Sequence, residues 1–597
     1  MRAAGSENTR AALAAWIRAL SATAPLADGS GVALPVLLEQ LCERHGDAEA
    51  LASARGNLTY RALAQSAHRY ARWGQAQGWG AGDVIALLMP NCPEYLAIWL
   101  GLTRLGVVVA LLNTHLGGGA LAHSIRIATP RAVLVDAALL PAVAGVREQL
   151  PQSLRWWAIG DNDGALERAD LQAAQAADRA LAAHECALPA LSSPALYIYT
   201  SGTTGLPKAA NVSHRRVAQW SHWFAGMMDV TASDRMYDCL PMYHSIGGVV
   251  ATGALLVSGG SVVVRERFSA REFWRDVVQE RCTLFQYIGE LCRYLLNQPA
   301  DAFESSHQLR LCCGNGLRAG VWEAFQARFR IPQILEYYAS TEGNFSLYNC
   351  EGRPGAIGRF PAFLSHRLPV ALVAYDEERA APRRGADGRC ERVPRGEIGE
   401  AIGEISAEAT SSGRFEGYAD VQATERKILR DVFADGDAWY RTGDLMRQDA
   451  QGYFYFVDRV GDTFRWKGEN VSTTEVAAAL ATCPGVHDAA AYGVTLPGAE
   501  GRAGMAALVV DASFDLQQLH GQLAAALPDY ARPLFLRIVP ALTLTGTFKL
   551  NKQALLAQGY DPGAGSDALY FDDRAGRRYV ALDAALHARI VRGELRL

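Results

Sequence analysis

Between Leu191 and Ser340, short apolar runs alternate with helix-like segments, and this rhythm constrains the fold more than any other feature of the chain. "ALYIYT", "RMYDCLP", "SVVVRE", "TLFQYIG", "LRLCCGN" and "QILEYYAS" read as strands. "HSIGGVVATGALL", "SAREFWRDVVQERC", "ELCRYLLNQ" and "RAGVWEAFQARF" read as the helices between them. After "ALYIYT" the pattern predicts a loop and then a helix from Ser213 through Trp220 and Trp223. Such alternation predicts a parallel sheet with helices on both faces, and Leu34 to Ala144 repeats it.

Ligands of parallel α/β sheets bind beyond the carboxyl ends of the strands. The polar stretches of this chain fall there. Thr200 to Lys208 follows "ALYIYT", "PMYH" follows "YDCL", "GNG" follows "LRLCC", and "STEGN" follows "EYYA". Segments far apart in sequence should therefore converge on one cleft. After about residue 355 a polar loop, "YDEERAAPRRGADGRCERVPRGEIGE", interrupts strand-like runs, and from Asp462 a smaller α+β unit is expected.

Composition removes several classes. The formal charge is -4 with 20% charged residues, which gives no general nucleic-acid surface. Eleven cysteines without a CxxC pattern point to a reducing compartment, not to a disulfide or zinc framework. "YLAIWLGLTRLGVVVALLNT" (Tyr95 to Thr114) has Arg104 at its middle and reads as a buried helix followed by a buried strand. In the N-terminal segment Ala12, Leu13, Trp16, Ile17 and Leu20 have helical spacing. That segment either docks on its own domain or lies on a membrane surface.

"YTSGTTGLPK" (Tyr199 to Lys208) looks like a phosphate cradle, but its glycines are too close together for a Walker loop. Its backbone amides and hydroxyls, with the Lys208 ammonium, can still face phosphate oxygens. The serine hydrolase elbow G-x-S-x-G is missing where it would be needed.

Five motifs occur in order: "YTSGTTGLPK", "YYASTEGN", "WYRTGDL", "VDRVGDTFRWKGENVS" and "GTFKLNK". With these the chain resembles the adenylate-forming superfamily of acyl-CoA synthetases, luciferases and peptide-synthetase adenylation domains. "DRVGDTFRWKGENVSTTEV" and the tail from "ALYFDDRAGRRYV" resemble its fatty acid transport protein and very-long-chain acyl-CoA synthetase branch. The resemblance covers the chain from about residue 35.

The fold it implies is α/β, with a large part of parallel helix-flanked sheets, a small β-rich subdomain and a small mobile C-terminal α+β domain. The expected divisions are an amphipathic segment at 1–33, a large adenylation domain at 34–460 and the small domain at 461–597.

The implied chemistry is ATP-dependent activation of a long or very long fatty acid through an acyl-adenylate, then transfer to coenzyme A with Mg²⁺ present. Alternatives are another lipophilic or betaine-like acid, or fatty acid uptake. Thr200, Ser201, Gly202, Thr203, Thr204, Gly205 and Lys208 would hold ATP phosphates. Glu342 would ligate Mg²⁺, Thr341 would bond the α-phosphate or acyl oxygen, and His244 would lie near the acyl carboxylate. Gly314, Asn315 and Gly316 would line the adenine pocket, with Tyr338 or Tyr337 stacked on the base. For Tyr337 a plain core position is an equal alternative. Asp444 would accept the ribose hydroxyls and Arg459 would pair with phosphate or ribose.

Lys549 would bridge carboxylate and α-phosphate during adenylation, with Lys552 as a weaker rival. The resemblance makes Gly461 the hinge, and Trp466, Lys467, Gly468 and Glu469 the thiolation loop. Gly247, Gly248 and "VVATGALL" offer a small-residue wall for an acyl tunnel, which Trp220 and Trp223 could gate; ordinary helix packing is the alternative. A cytoplasmic location is expected, with peripheral contact at the inner face of a membrane. Chain-length preference and oligomeric state are not legible.

Overall fold

The computed structural model describes residues 2–595 except 202–205, 365–369, 377–378, 407–413, 468, 498, 500 and 545–549; for residues 2–8 and Ser201 it describes the backbone alone. Two compact units are formed. The first comprises Met1–Pro369, Gly403–Arg430 and Gly436–Tyr440, and the second Val370–Ile402, Asp431–Asp435 and Arg441–Leu597.

The first unit is built on two helix-flanked sheets. Their strands are β1 (Glu49–Ala52), β2 (Leu58–Thr59), β3 (Val84–Leu88), β4 (Val108–Leu111), β5 (Ala132–Asp136), β6 (Arg155–Ile159), β7 (Pro194–Ser201) and β8 (Pro207–Ser213). They continue with β9 (Arg235–Asp238), β10 (Ser261–Val264), β11 (Leu284–Ile288), β12 (Leu311–Asn315), β13 (Gln333–Ala339) and β14 (Ser346–Asn349). One sheet has the order β6-β5-β3-β4-β7-β8 and the other β14-β13-β12-β11-β9-β10-β1-β2. Their interiors are parallel, as the alternation of strand and helix predicts.

The sheet edges depart from that pattern. β2, β8 and β14 each fold back antiparallel on a neighbour. β8 replaces much of the loop expected before the helix His214–Met228. Ala209, Ala210 and Val212 are buried on it, so this small-residue run pairs with β7 instead of coiling.

The long apolar run is core. It forms the helix Pro93–Arg104 followed by β4, and every residue of both elements except Glu94 is buried. Arg104 is tolerated there because its Nη2 donates to Leu181 O at 2.7 Å and its Nη1 to Ala187 O at 3.4 Å. The one charge in the run thus holds the 181–187 stretch from inside. Among the described residues no helix is long and apolar enough to cross a membrane.

The N-terminal helix Arg2–Ala27 docks on its own unit. Ala12, Ala15, Trp16 and Ala19 are buried, and Leu13 and Ile17 face outward. The partner is the helix His214–Met228, and at Gly226 a Cβ would stand 2.6 Å from Ala19 Cα. Alanines on one helix and a glycine on the other let the two backbones meet.

The second unit carries an antiparallel ladder from Asp444 to Gln448 against Phe454–Arg459. Its C-terminal part is a five-stranded sheet of Val486–Val494, Ala503–Val510, Phe535–Ile538, Ala568–Asp573 and Arg578–Ala581 in that order. Helices Thr473–Ala481 and Leu516–Ala526 add buried side chains, among them Leu480 and Leu523, to the core of this α+β fold.

Gly226→Leu should lift the N-terminal helix from its seat. Overpacking of this kind costs about 1–3 kcal/mol, and limited proteolysis should cut within residues 2–27 faster than in the parent. Unchanged cleavage would mean that the helix is not held by this contact.

Candidate active site

β7 and β8 bring the two ends of the cradle loop together. Thr200 pairs with Lys208 across the hairpin, so the hydroxyl and the ammonium flank the loop. Gly202, Thr203, Thr204 and Gly205 lie outside the described residues, and Ser201 is described only in its backbone.

The turn after β13 carries Thr341 and Glu342. Glu342 is only 7% exposed, and its Oε1 accepts the Tyr418 hydroxyl at 2.7 Å. Burial, then the nearby Glu342 charge, pushes the Tyr418 phenol far up, so it stays a donor. Lys208 Nζ stands 5.7 Å from the centre of the same ring. Tyr440, whose phenol is also raised by burial and by Glu342, holds Ser340 Oγ at 3.0 Å. Thr341 Oγ1 meets Ser245 Oγ at 3.3 Å. The fold thus groups Thr200, Lys208, Thr341 and Glu342 around Tyr418 and Ser245.

Arg216 fixes that turn from behind. Only 7% exposed, it donates through Nη1 to Thr341 O at 3.0 Å and through Nη2 to Arg414 O at 2.9 Å. Its Nε is 3.7 Å from Glu416, which itself accepts Ser213 N at 2.8 Å and Ser213 Oγ at 2.6 Å. Tyr418, Arg216 and Glu416 are not found by motif reading, and Tyr440 lies in "WYRTGDL" without a role that the motif reading gave it. The available signals are "SHRR" directly after β8 and the aromatic-acidic "RFEGY".

His244 follows β9. Its ring packs against Tyr243 at 4.5 Å, and its carbonyl accepts Gly248 N at 2.8 Å. The next residues form a π-helical turn, Ile246–Ala251. Cβ atoms at Gly247 and Gly248 would strike the carbonyl oxygens of Leu240, Pro241 and Met242 at 1.9–2.7 Å. These glycines allow close packing against that segment.

Gly314 and Asn315 end β12, and Gly316 follows at φ +78°. Tyr337 and Tyr338 alternate on β13. Tyr337 is core, 4.7 Å from Phe224 and stacked on Tyr348 at 6.2 Å. Tyr338 is half-buried beside Phe345 at 6.0 Å, which leaves it the better placed of the two for a ligand.

In the second unit Asp444 and Arg459 oppose each other on paired strands, with Arg459 Nε 3.4 Å from Asp444 Oδ1. Gly461 has φ +90° and no atom within 4 Å of its Cβ position. Trp466 is buried in that unit's core, Lys467 turns at φ +53° and Glu469 is exposed. Gly468 and Lys549 lie outside the described residues. Lys552 is engaged: its Nζ donates to Thr473 Oγ1 at 3.1 Å and reaches Asp462 Oδ2 at 3.4 Å.

Two family models match the chain, AMP-binding enzyme over residues 38–372 and AMP-binding enzyme C-terminal domain over 475–549. The chain therefore belongs to the AMP-binding enzyme family, in its fatty acid transport protein and very-long-chain acyl-CoA synthetase branch. Long-chain fatty acid transport protein 1 of Mus musculus is 41% identical over 95% of this chain and 89% of its own. Long-chain fatty acid transport protein 6 of the same organism is 42% identical over 86% and 83%. Among solved structures, ATP-bound MatB from Rhodopseudomonas palustris is 25% identical with TM-score 0.72, covering 88% of this chain and 98% of that one. A fatty acyl CoA synthetase of Mycobacterium tuberculosis, 24% identical with TM-score 0.62 over 88% and 98%, shares the fold.

Glu336, at the start of the ladder that leads to Thr341, braces the loop after β12. It accepts the Tyr287 hydroxyl at 2.5 Å and Leu317 N at 3.1 Å. Burial pushes its carboxyl up to about 8. The folded chain holds this proton more tightly than the unfolded chain. The group's contribution to stability is therefore full at acid pH and falls as pH rises from the ordinary glutamate range towards 8. Glu336→Gln should flatten that slope. Urea midpoints compared between about pH 5 and 8 would show it, and parallel curves for parent and variant would contradict the assignment.

Proposed function

We propose that the chain is an AMP-forming acyl-CoA synthetase for long- or very-long-chain fatty acids. The observation that carries this reading is the Thr341–Glu342 turn. It holds one buried carboxylate, fixed by Tyr418 beside Lys208, in a chain related along 95% of its length to a long-chain fatty acid transport protein.

Carboxylate and triphosphate repel each other, so the site must neutralise charge and hold the reactants in line. The acyl carboxylate oxygen forms a bond to the α-phosphorus as the bond to the β-phosphate breaks, and pyrophosphate leaves. The thiol of coenzyme A then bonds to the acyl carbon, AMP departs and the thiol proton is released.

Lys208, Thr200 and the loop they flank hold the β- and γ-phosphates. Thr341 bonds the oxygens at the reacting centre, and His244 borders the carboxylate. Tyr338 stacks on adenine beside Gly314, Asn315 and Gly316. Asp444 takes the ribose hydroxyls, Arg459 the ribose or phosphates, and Lys549 joins carboxylate to α-phosphate.

Among the described residues no three His, Cys, Asp or Glu side chains converge on a metal site. A lone carboxylate suits a magnesium ion that arrives with ATP, whose charge lowers that of the triphosphate. Glu342 would hold it, and Tyr418 keeps Glu342 oriented.

Residues 461–597 act as the mobile domain on the large part at 34–460. Turning about Gly461 presents Lys549 for adenylation and the Trp466–Glu469 loop for thiolation. The enzyme works in the cytoplasm, in peripheral contact with the inner face of a membrane where its substrate partitions.

The direct test is pyrophosphate release with Mg-ATP and a panel of acids, with and without coenzyme A. Acyl-CoA, AMP and pyrophosphate from long acids are expected. Acyl-AMP alone would redirect the acyl group to a carrier protein, and tight acyl binding without turnover would favour uptake. Tyr418→Phe should lower kcat/KM for Mg-ATP about tenfold to a hundredfold, the value of a hydrogen bond to a charged group; an unchanged value would remove Tyr418 from the site. Gly461→Pro cannot take a positive φ. It should abolish transfer to coenzyme A and spare pyrophosphate formation, and equal survival of both half-reactions would contradict the swing.

A further inference from the structure

We infer that the N-terminal helix roofs a chamber for the distal part of the acyl chain. This rests on the synthetase reading for the identity of the ligand, but not for the existence of the chamber.

A cavity of about 500 Å³ lies between the helices Arg2–Ala27 and His214–Met228 and the strand β14. The size falls within the roughly 300–1,000 Å³ usual for sites that enclose a small molecule. The N-terminal helix lies before the family match at residues 38–372, so this roof is an addition to the matched domain.

The cavity arises from how the two helices meet. They touch where Ala19 faces Gly226 and are tied again where Arg215 donates to Leu26 O. Between these two contacts the roof presents Leu20, Thr23 and Ala24, with Ala27 just beyond, and the short Thr23, Ala24 and Ala27 leave a gap over Gln219 and Trp220. Trp16 closes one end, edge-on to Trp223 at 5.6 Å and to Tyr348 at 5.5 Å. Aromatic faces of this kind provide apolar area with little rotamer freedom to lose.

The opposite end adjoins the turn that carries Thr341 and Glu342. Gly343 and Asn344, the two residues after Glu342, line the cavity, and so does Arg216, which donates to Thr341 O. An acyl group whose carboxylate rests at Thr341 therefore begins beside the chamber and can run its tail towards Trp16. Long acids gain contacts in the chamber that short acids cannot reach, so the roof sets chain-length preference.

The full-length protein should be irradiated with a long-chain fatty acid carrying a terminal diazirine, and the labelled peptides mapped. Label is expected within residues 16–27, 219–223 or 345–348. Label confined to 246–256 would overturn the inference. In parallel, Ala24→Trp should fill the chamber. Its kcat/KM should fall about tenfold or more for octadecanoate and stay unchanged for octanoate, since apolar discrimination accumulates per methylene, while KM for ATP stays put. Equal losses for both acids, or none, would overturn it. Should that variant not fold, Ala27→Phe and the labelling of the parent protein decide. Labelling of the chamber in a protein that makes no acyl-CoA would keep the chamber and sink the synthetase reading. Acyl-CoA formation with label elsewhere would do the reverse.

Discussion

A buried guanidinium organises the candidate site. Arg216 stands at the start of a helix, yet its donors reach the Thr341 carbonyl, the Arg414 carbonyl and the Glu416 carboxylate. A charge this far from water persists only when its donors are met, and removing one partner of such a set costs about 3–5 kcal/mol. The cost is the constraint that the rest depends on. The hairpin β7–β8, the turn after β13 and the 414–418 segment can each be placed only where this one fork is satisfied. Tyr418 then falls within reach of Glu342, and Lys208 lies against the Tyr418 ring. Precision at the carboxylate comes from a residue that never touches it.

What could be read without coordinates follows from short-range physics. The period of apolar residues gave the parallel interior of both sheets, and Arg104 marked the apolar run as core because a charge at its centre needs carbonyls, not lipid. The gathering of the segments that carry Lys208, Ser245, Thr341 and Glu342 was legible for the topological reason that such sheets place their strand ends together. Tyr418 and Arg216 were not legible. Their partners lie 76 and 125 residues away, and no periodicity or spacing rule connects such positions. β8 escaped for another reason. "PKAANVS" has little strand propensity of its own, and pairing with β7 overrides it.

The glycines show the same limit from another side. In "HSIGGVV" two adjacent glycines read equally well as open space or as close packing, because a missing side chain is compatible with both. Carbonyl oxygens at 1.9–2.7 Å decide for packing. Room appears beneath the N-terminal helix, where Thr23, Ala24 and Ala27 are short. Alanines near Gly226 bring two helices into contact, whereas alanines one or two turns further on leave a gap. Small residues make a seam or a chamber according to what the facing helix presents, and one sequence segment cannot say which.

Gly461 differs from both cases. Its Cβ position is empty and its φ is positive, so the residue is there for its backbone and not for any neighbour. The residues around it are anchored: Arg459 by Asp444 two strand positions before, and Asp462 by Lys552 directly after. Lys552 also bonds Thr473, whose amide is held by the buried Asp458. The turn between these two charge-held residues is closed by backbone bonds, Asp462 N and Thr463 N both donating to Arg459 O at 3.0 and 3.3 Å. A side chain at 461 would meet no steric wall there, but it would raise the energy of the left-handed conformation. A substitution at this point would therefore act through backbone conformation, with no neighbouring atom within 4 Å of the added Cβ.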